Sequence, residues 1–189
     1  NKRLGDYYVA CIDIAAIDAA GRKPVDPYLA RIDAIKSPAD LKAYFSASQR
    51  ELPVGPFAVA SFPDMKDANT IIAALITNAT SLPERDYYFN ADEKTRKIRD
   101  EFLKHVERMF VLIGHPPEQA AAAARTVLTL ETAVAQKQLT NIERRNPYNL
   151  YHKMDLAGVA GIAPEIDWKL VLKTLDIPEA TAINVAEPE

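Results

Sequence analysis

Three histidines, His105, His115 and His152, and one cysteine, Cys11, are the residues of this 189-residue chain best suited to hold a metal ion. A helical zinc site needs two ligands one turn apart, so that both side chains reach one ion from a fixed backbone. Glu101 and His105 stand four apart, but no second histidine joins them. A surface ion pair or partial helix cap is therefore the better reading. His115, beside Pro116 and Pro117, is placed to bond the last carbonyls of a helix, and His152 follows Tyr151 in a polar stretch that reads as exposed. No GxSxG elbow or CxxC pair occurs, so no nucleophile has an evident activating neighbour. A lone Cys11 excludes an internal disulfide and a multi-cysteine zinc site, and reads as a buried core thiol. The glycines of GVAG, Gly158 to Gly161, lack the lysine, third glycine and preceding strand of a phosphate loop, and read as a short helix beside Pro164. No residue is assigned a catalytic, cofactor-binding or metal-ligating role.

The densest chemistry lies in SLPERDYYFN, Ser81 to Asn90. Pro83 fixes a turn, Arg85 stands between Glu84 and Asp86, and Tyr87, Tyr88 and Phe89 offer ~150–250 Å² each of mostly apolar surface. A guanidinium flanked by carboxylates locks a turn by charge-assisted hydrogen bonds, and three buried rings would anchor it. This reads as a structural seam in preference to a ligand site. Glu143-Arg144-Arg145, at the exit from a long helix, suits the helix dipole and could also grip a carboxylate from another segment.

The elements that must position these residues follow from periodicity and punctuation. Leu4, Tyr8, Cys11, Ile12, Ala15 and Ala19 mark one face of a helix from Leu4 to Ala20 that Gly21 ends. Asp26-Pro27 starts a short helix through Ile35, and Ser37-Pro38 with Asp40 starts another to about Arg50. LPVGPFAVASFP, Leu52 to Pro63, and TIIAALIT, Thr70 to Thr77, read as a β-hairpin around a polar loop from Asp64 to Asn69, although AALI would equally accept a helix. Asp92 to Ile113 is an amphipathic helix with Ile98, Phe102, Val106, Met109, Phe110 and Ile113 on one side, and its charges read as solvated i,i+4 pairs. Pro116-Pro117 begins a second long helix to about Leu139 that carries Val127, Leu128, Leu130 and Val134 inward. The two form an antiparallel pair. After the Asn146-Pro147 turn come small helices capped by Asp155 and Asp167, the second carrying Trp168, then Pro178 and a β-like AINVAE. The fold class is mainly α: one helical region over 1–189 with a long antiparallel helix pair and a small β-hairpin.

Composition is that of a globular chain. A net charge of −3, with cations interleaved among acids, disfavours a nucleic-acid partner. No apolar run approaches the ~20 residues of a membrane-spanning helix. Asn1 is not an initiator methionine, so the compartment stays open.

LPERDYY, Leu82 to Tyr88, resembles the LPxRDYY signature in the N-terminal part of the neprilysin and endothelin-converting-enzyme family of zinc metalloendopeptidases, which has bacterial members. GDYYVACID with IDAAGRKP, ERRNPYNLYHKMDLAGV, and IDWKLVL followed by AINVAEPE resemble further family segments in the family's order. Asn146 in place of aspartate, TNAT before Ser81, and Asp155 in place of threonine depart from the pattern and touch only local hydrogen bonds. The resemblance implies that the zinc ligands and base, on an HExxH helix and an ExxxD helix, and the substrate clamp, on an NAxY strand, lie C-terminal to the matched region. This chain would then be a catalytically empty part of a helical cap over a missing zinc domain. That cap encloses a chamber that admits short peptides, in an extracytoplasmic enzyme, and its apolar docking surface would lie exposed here. In animal relatives the cysteine matching Cys11 is disulfide-bonded to a distant partner. A stand-alone helical interaction module is the alternative.

Overall fold

The computed structural model describes residues 2–50, 56–77, 79–177 and 182–188, and the chain forms two compact units, Asn1–Lys36 and Ser37–Glu189. The expected breakers Leu52 to Gly55 and Pro178 lie outside the described residues.

The first unit is three helices, α1 (Lys2–Ile12), α2 (Ile14–Ala20) and α3 (Asp26–Asp33). The single helix expected from Leu4 to Ala20 is broken at Asp13, whose carboxylate accepts the Ala16 amide at 2.9 Å and so caps a new helix. An aspartate that bonds its own local backbone competes with helix continuation. Gly21 ends α2 at φ +51°. Asp26 opens α3 but does not cap it: its carboxylate pairs with Arg22 at 2.7 Å, and the capping position is Val25. Cys11, expected in a core, is exposed, because α1 buries none of its residues.

The second unit begins with α4 (Pro38–Ser48), where Ser37 accepts the Asp40 amide and donates its hydroxyl to the Asp40 carboxylate at 2.8 Å. The hairpin follows, β1 (Phe57–Asp64) antiparallel to β2 (Asp67–Thr77). Its loop is shorter than the polar run suggested. Asp64 accepts the Lys66 amide, and Asp67 accepts from Asn69 and Thr70, so the acids tighten the turn to Met65-Lys66. AALI is strand because β2 is central in a four-stranded sheet of order β1-β2-β4-β3. Strand β4 (Ile183–Val185) lies parallel to β2, and β3 (Lys153–Met154) closes on its other side. A central strand covered on both edges carries a continuous apolar run, here Ile72 to Leu75.

Helices α7 (Leu156–Ile162) and α8 (Trp168–Thr174), capped by Asp155 and Asp167 as expected, cover one face of the sheet. Ala73, Leu75, Val159, Trp168, Val171, Ile183 and Val185 form the core there. Trp168 packs its ring 4.9 Å from that of Phe57 and donates Nε1–H to the Ala163 carbonyl. Gly158 sits where a Cβ would come within 3.0 Å of the Met154 Cβ, so its place in GVAG is set by packing of α7 on β3.

The helix pair is α5 (Glu93–Leu112), capped by Asp92 through the Thr95 amide, and α6 (Pro117–Lys137). Ile98, Phe102, Val106, Phe110 and Ile113 are part-buried as the period predicts, whereas Met109 and Leu130 are exposed. Alanines replace Leu130 in the contact. Ala120, Ala124 and Ala135 of α6 are fully enclosed, which lets the two backbones approach closely.

Candidate functional site

The Ser81–Asn90 stretch is wedged against the helix pair, but through different residues from those its own charges suggested. A one-turn 3-10 helix, Arg85–Tyr88, brings Tyr88 into a cluster with Leu82 and Ala135, flanked by Tyr87, Ile98, Phe102 and Leu128. The Tyr88 hydroxyl accepts the Leu82 amide at 3.0 Å and donates to the Glu131 carboxylate of α6 at 2.6 Å. Glu131 also accepts the Ser81 hydroxyl at 2.7 Å and the Ser81 amide at 3.2 Å. Burial, and then the bond to Glu131, push the Tyr88 phenol well above its ordinary pKa, so it stays a neutral donor. From α5, Arg99 donates to the carbonyls of Tyr87 at 2.7 Å and Asn90 at 2.9 Å.

Arg85 does not lock the turn between two acids. Its Nη1 lies 3.4 Å from Asp86, while Glu84 is drawn away to Asn141 at 2.7 Å. The guanidinium instead covers the half-exposed ring of Phe89 at 4.8 Å, and its Nε is enclosed without a hydrogen-bond partner. Two of the three aromatics anchor the turn, and the third shields an arginine. A polar recess of about 310 Å³ beside the turn is lined by Thr80, Ser81, Glu84, Arg85, Gln138 and Asn141.

A second clamp ties the segment after α6 to the sheet. Thr140 and Glu143 cap one another: Thr140 donates its amide and hydroxyl to the Glu143 carboxylate, which is thereby held below the usual range, and Glu143 returns its amide. Arg144 then grips Glu187 at 2.7 Å, whose other oxygen accepts the Leu139 amide. Glu143-Arg144-Arg145 thus sits in a 3-10 turn and holds a carboxylate from another segment. At the hairpin tip, Lys153 donates to the enclosed Asp64 at 2.6 Å and holds its carboxyl down to about 2, from an ordinary 3.8.

The histidines lie apart from one another. Glu101 pairs with Lys104 at 2.9 Å in place of His105, which is exposed. His115 bonds Phe110 through its backbone amide and sets its ring edge-on to that of Phe110 at 5.2 Å. His152, expected in solvent, is stitched to β4: Asn184 accepts its amide at 2.7 Å, and Nδ1 lies 3.0 Å from the Val185 carbonyl. Among the described residues, no three histidine, cysteine, aspartate or glutamate side chains gather to hold a metal ion.

The geometry is that of a scaffold held by three polar clamps, and the family model of peptidase family M13, N-terminal part, matches it over residues 1–189. The chain belongs to peptidase family M13. It is 29% identical over 197 residues to human endothelin-converting enzyme 1, covering 100% of this chain and 25% of that protein. Neprilysin-3 of Drosophila melanogaster is 24% identical over 178 residues, covering 89% of the chain and 23% of the relative. The zinc metalloprotease ZMP1 of Mycobacterium tuberculosis, solved in an open state, superposes with a TM-score of 0.85 at 26% identity, over 97% of this chain and 29% of that one. In a partial open state the same enzyme gives 0.71 at 25% identity, over 98% and 28%. The chain therefore spans about a quarter of the length of the curated relatives it matches. No helix among the described residues is long and apolar enough to cross a membrane.

The clamp residues Glu131, Arg99, Asn141 and Glu187 carried no mark in the sequence analysis. Glu131 did offer a signal: an acid three residues after Leu128 and four before Ala135 stands on the buried stripe of α6, where it needs a donor.

Proposed function

We propose that this chain is the cap region of a longer M13 zinc metallopeptidase, and that it restricts which peptides reach an active-site chamber. What carries the reading is the match of 97% of the chain to only 29% of a zinc metalloprotease. The metal, the base and the substrate clamp belong, on this reading, to a catalytic domain outside residues 1–189, and the substrates are short peptides. This chain's residues supply shape. A lid that excludes folded proteins must move as one body and not fray, which is the task of the Tyr88–Glu131–Ser81 clamp and the Arg144–Glu187 pair. The open and partial open states of the Mycobacterium tuberculosis relative support an enclosure that opens. On this reading the enzyme acts outside the cytoplasm.

The test uses the intact peptidase and a ladder of substrates, from short peptides to a small folded protein, with Glu131→Ala as the loosened variant. The intact enzyme should cleave the short peptides and spare the folded protein, and Glu131→Ala should narrow that difference. Equal kcat/KM along the ladder in the unaltered enzyme would refute access control.

A further inference from the structure

Beside the seam, the polar recess of about 310 Å³ is drawn from residues 77–85 and 138–144, all within the Ser37–Glu189 unit. Small-molecule sites fall in the range of ~300–1,000 Å³. The hollows on the sheet are lined mainly by apolar side chains, whereas this one is lined mainly by polar ones. Thr77, Thr80 and Gln138 bring hydroxyls and a carboxamide to it, and Glu84, Arg85 and Arg144 bring charge.

The charged groups of the recess are only partly engaged. Glu84 accepts from Asn141 through Oε2, and Arg144 donates to Glu187 through Nη2, which leaves the Glu84 Oε1 and the rest of the Arg144 fork for a further partner. Arg85 reaches Asp86 only at 3.4 Å, and its Nε is enclosed with no acceptor. The donors it can offer to the recess are therefore its Nη groups. An arginine so poorly matched inside a fold calls for an acceptor that the chain itself does not supply.

The sum of charges selects the class of ligand. Glu84, Asp86 and Glu187 line the recess or pair with its arginines, and Glu143, held below the usual range first by Thr140, also feels the charge of Arg85. Four acids against two guanidiniums repel an anion such as phosphate. A simple ammonium ion leaves both guanidinium forks idle, and so does a neutral sugar. A zwitterion answers both signs at once: its carboxylate takes the arginine donors and its ammonium takes Glu84. The hydroxyls of Thr77 and Thr80 and the carboxamide of Gln138 then suit a polar side chain better than an aliphatic one.

We propose that this recess binds a free amino acid with a small polar side chain, its carboxylate on Arg85 and Arg144 and its ammonium on Glu84. The ligand joins the turn before α5 to the segment after α6, so binding braces the two together. The site stands whether or not the chain restricts access to a chamber.

The experiment titrates the intact protein with L-glutamine and follows hydrogen exchange by mass spectrometry. Saturable slowing in segments 80–86 and 138–144, with an apparent Kd below about 10 mM, supports the site. Arg85→Lys, which loses the planar fork but keeps the charge, should raise that Kd at least about tenfold. Glu84→Gln keeps an acceptor for Asn141 and removes the charge, so it should weaken L-glutamine and leave N-acetyl-L-glutamine unaffected. No saturable slowing up to about 50 mM overturns the proposal, as does slowing confined to other segments. It is also overturned if inorganic phosphate, L-glutaminamide or L-leucine protects as well as L-glutamine does. An unchanged Kd in both Arg85→Lys and Glu84→Gln overturns it too, and because Glu84 is exposed that variant stays informative even where Arg85→Lys fails to fold.

Discussion

Replacing Tyr88 by phenylalanine keeps the ring in its cluster and removes only the hydroxyl, so the energetic role of the seam can be isolated. That hydroxyl satisfies the amide of the buried Leu82 and donates to a carboxylate at 2.6 Å. An orphaned buried amide costs about 1–3 kcal/mol, and a hydrogen bond to a charged group contributes about 1.5–3 kcal/mol. Glu131 keeps both Ser81 donors, so the carboxylate is not stranded, and the two losses overlap. The expected destabilisation is about 2–4 kcal/mol, a Tm decrease of roughly 5–12 °C in a chain of this size. Urea unfolding followed by far-ultraviolet circular dichroism gives the free energy, and hydrogen exchange at Leu82 reports the orphaned amide directly. Glu131→Gln should cost less. In the double-mutant cycle the two changes should couple by about 1–2 kcal/mol. A Tyr88→Phe loss below about 0.5 kcal/mol, or strict additivity with Glu131→Gln, would refute the view that this network holds the turn.

Two further outcomes follow from the other clamps. Asp64 has its carboxyl lowered in the folded chain to about 2 from an ordinary 3.8, so between those values the unfolded chain binds more protons. Its contribution is complete above about pH 4 and is lost as the pH falls towards 2. Asp64→Asn should therefore flatten the acid limb of stability in urea titrations between pH 2 and 5, and leave the slope above pH 5 unchanged. Arg99→Met should free the Tyr87 and Asn90 carbonyls, cost about 1–3 kcal/mol, and speed hydrogen exchange across residues 85–90 while exchange in the sheet strands stays slow.

Features that depend on neighbours in sequence were legible, and features that depend on distant partners were not. Ser37, Asp155 and Asp167 each cap a helix through an amide three residues on, so residue type and spacing sufficed. The 3.6-residue period of α5 spanned enough turns to be read. β3 is two residues long and has no periodicity, and the β2–β4 pairing joins segments some 110 residues apart. Where local chemistry misled, a competing partner had taken the side chain: Arg22 took Asp26, Lys104 took Glu101 and Asn141 took Glu84. Asp13 interrupts an unbroken apolar period because its side chain bonds the backbone. Cys11 misled for another reason: the helix whose period marked it as a core residue, α1, buries none of its residues.

Zinc content and peptide cleavage of the isolated 189-residue chain, dialysed against excess zinc and then against buffer, test the central claim most directly. A cap without catalytic residues retains well under one zinc per chain and cleaves no peptide from the ladder. One zinc per chain lost on replacing His105 or His152, or cleavage that a chelator abolishes, would contradict it.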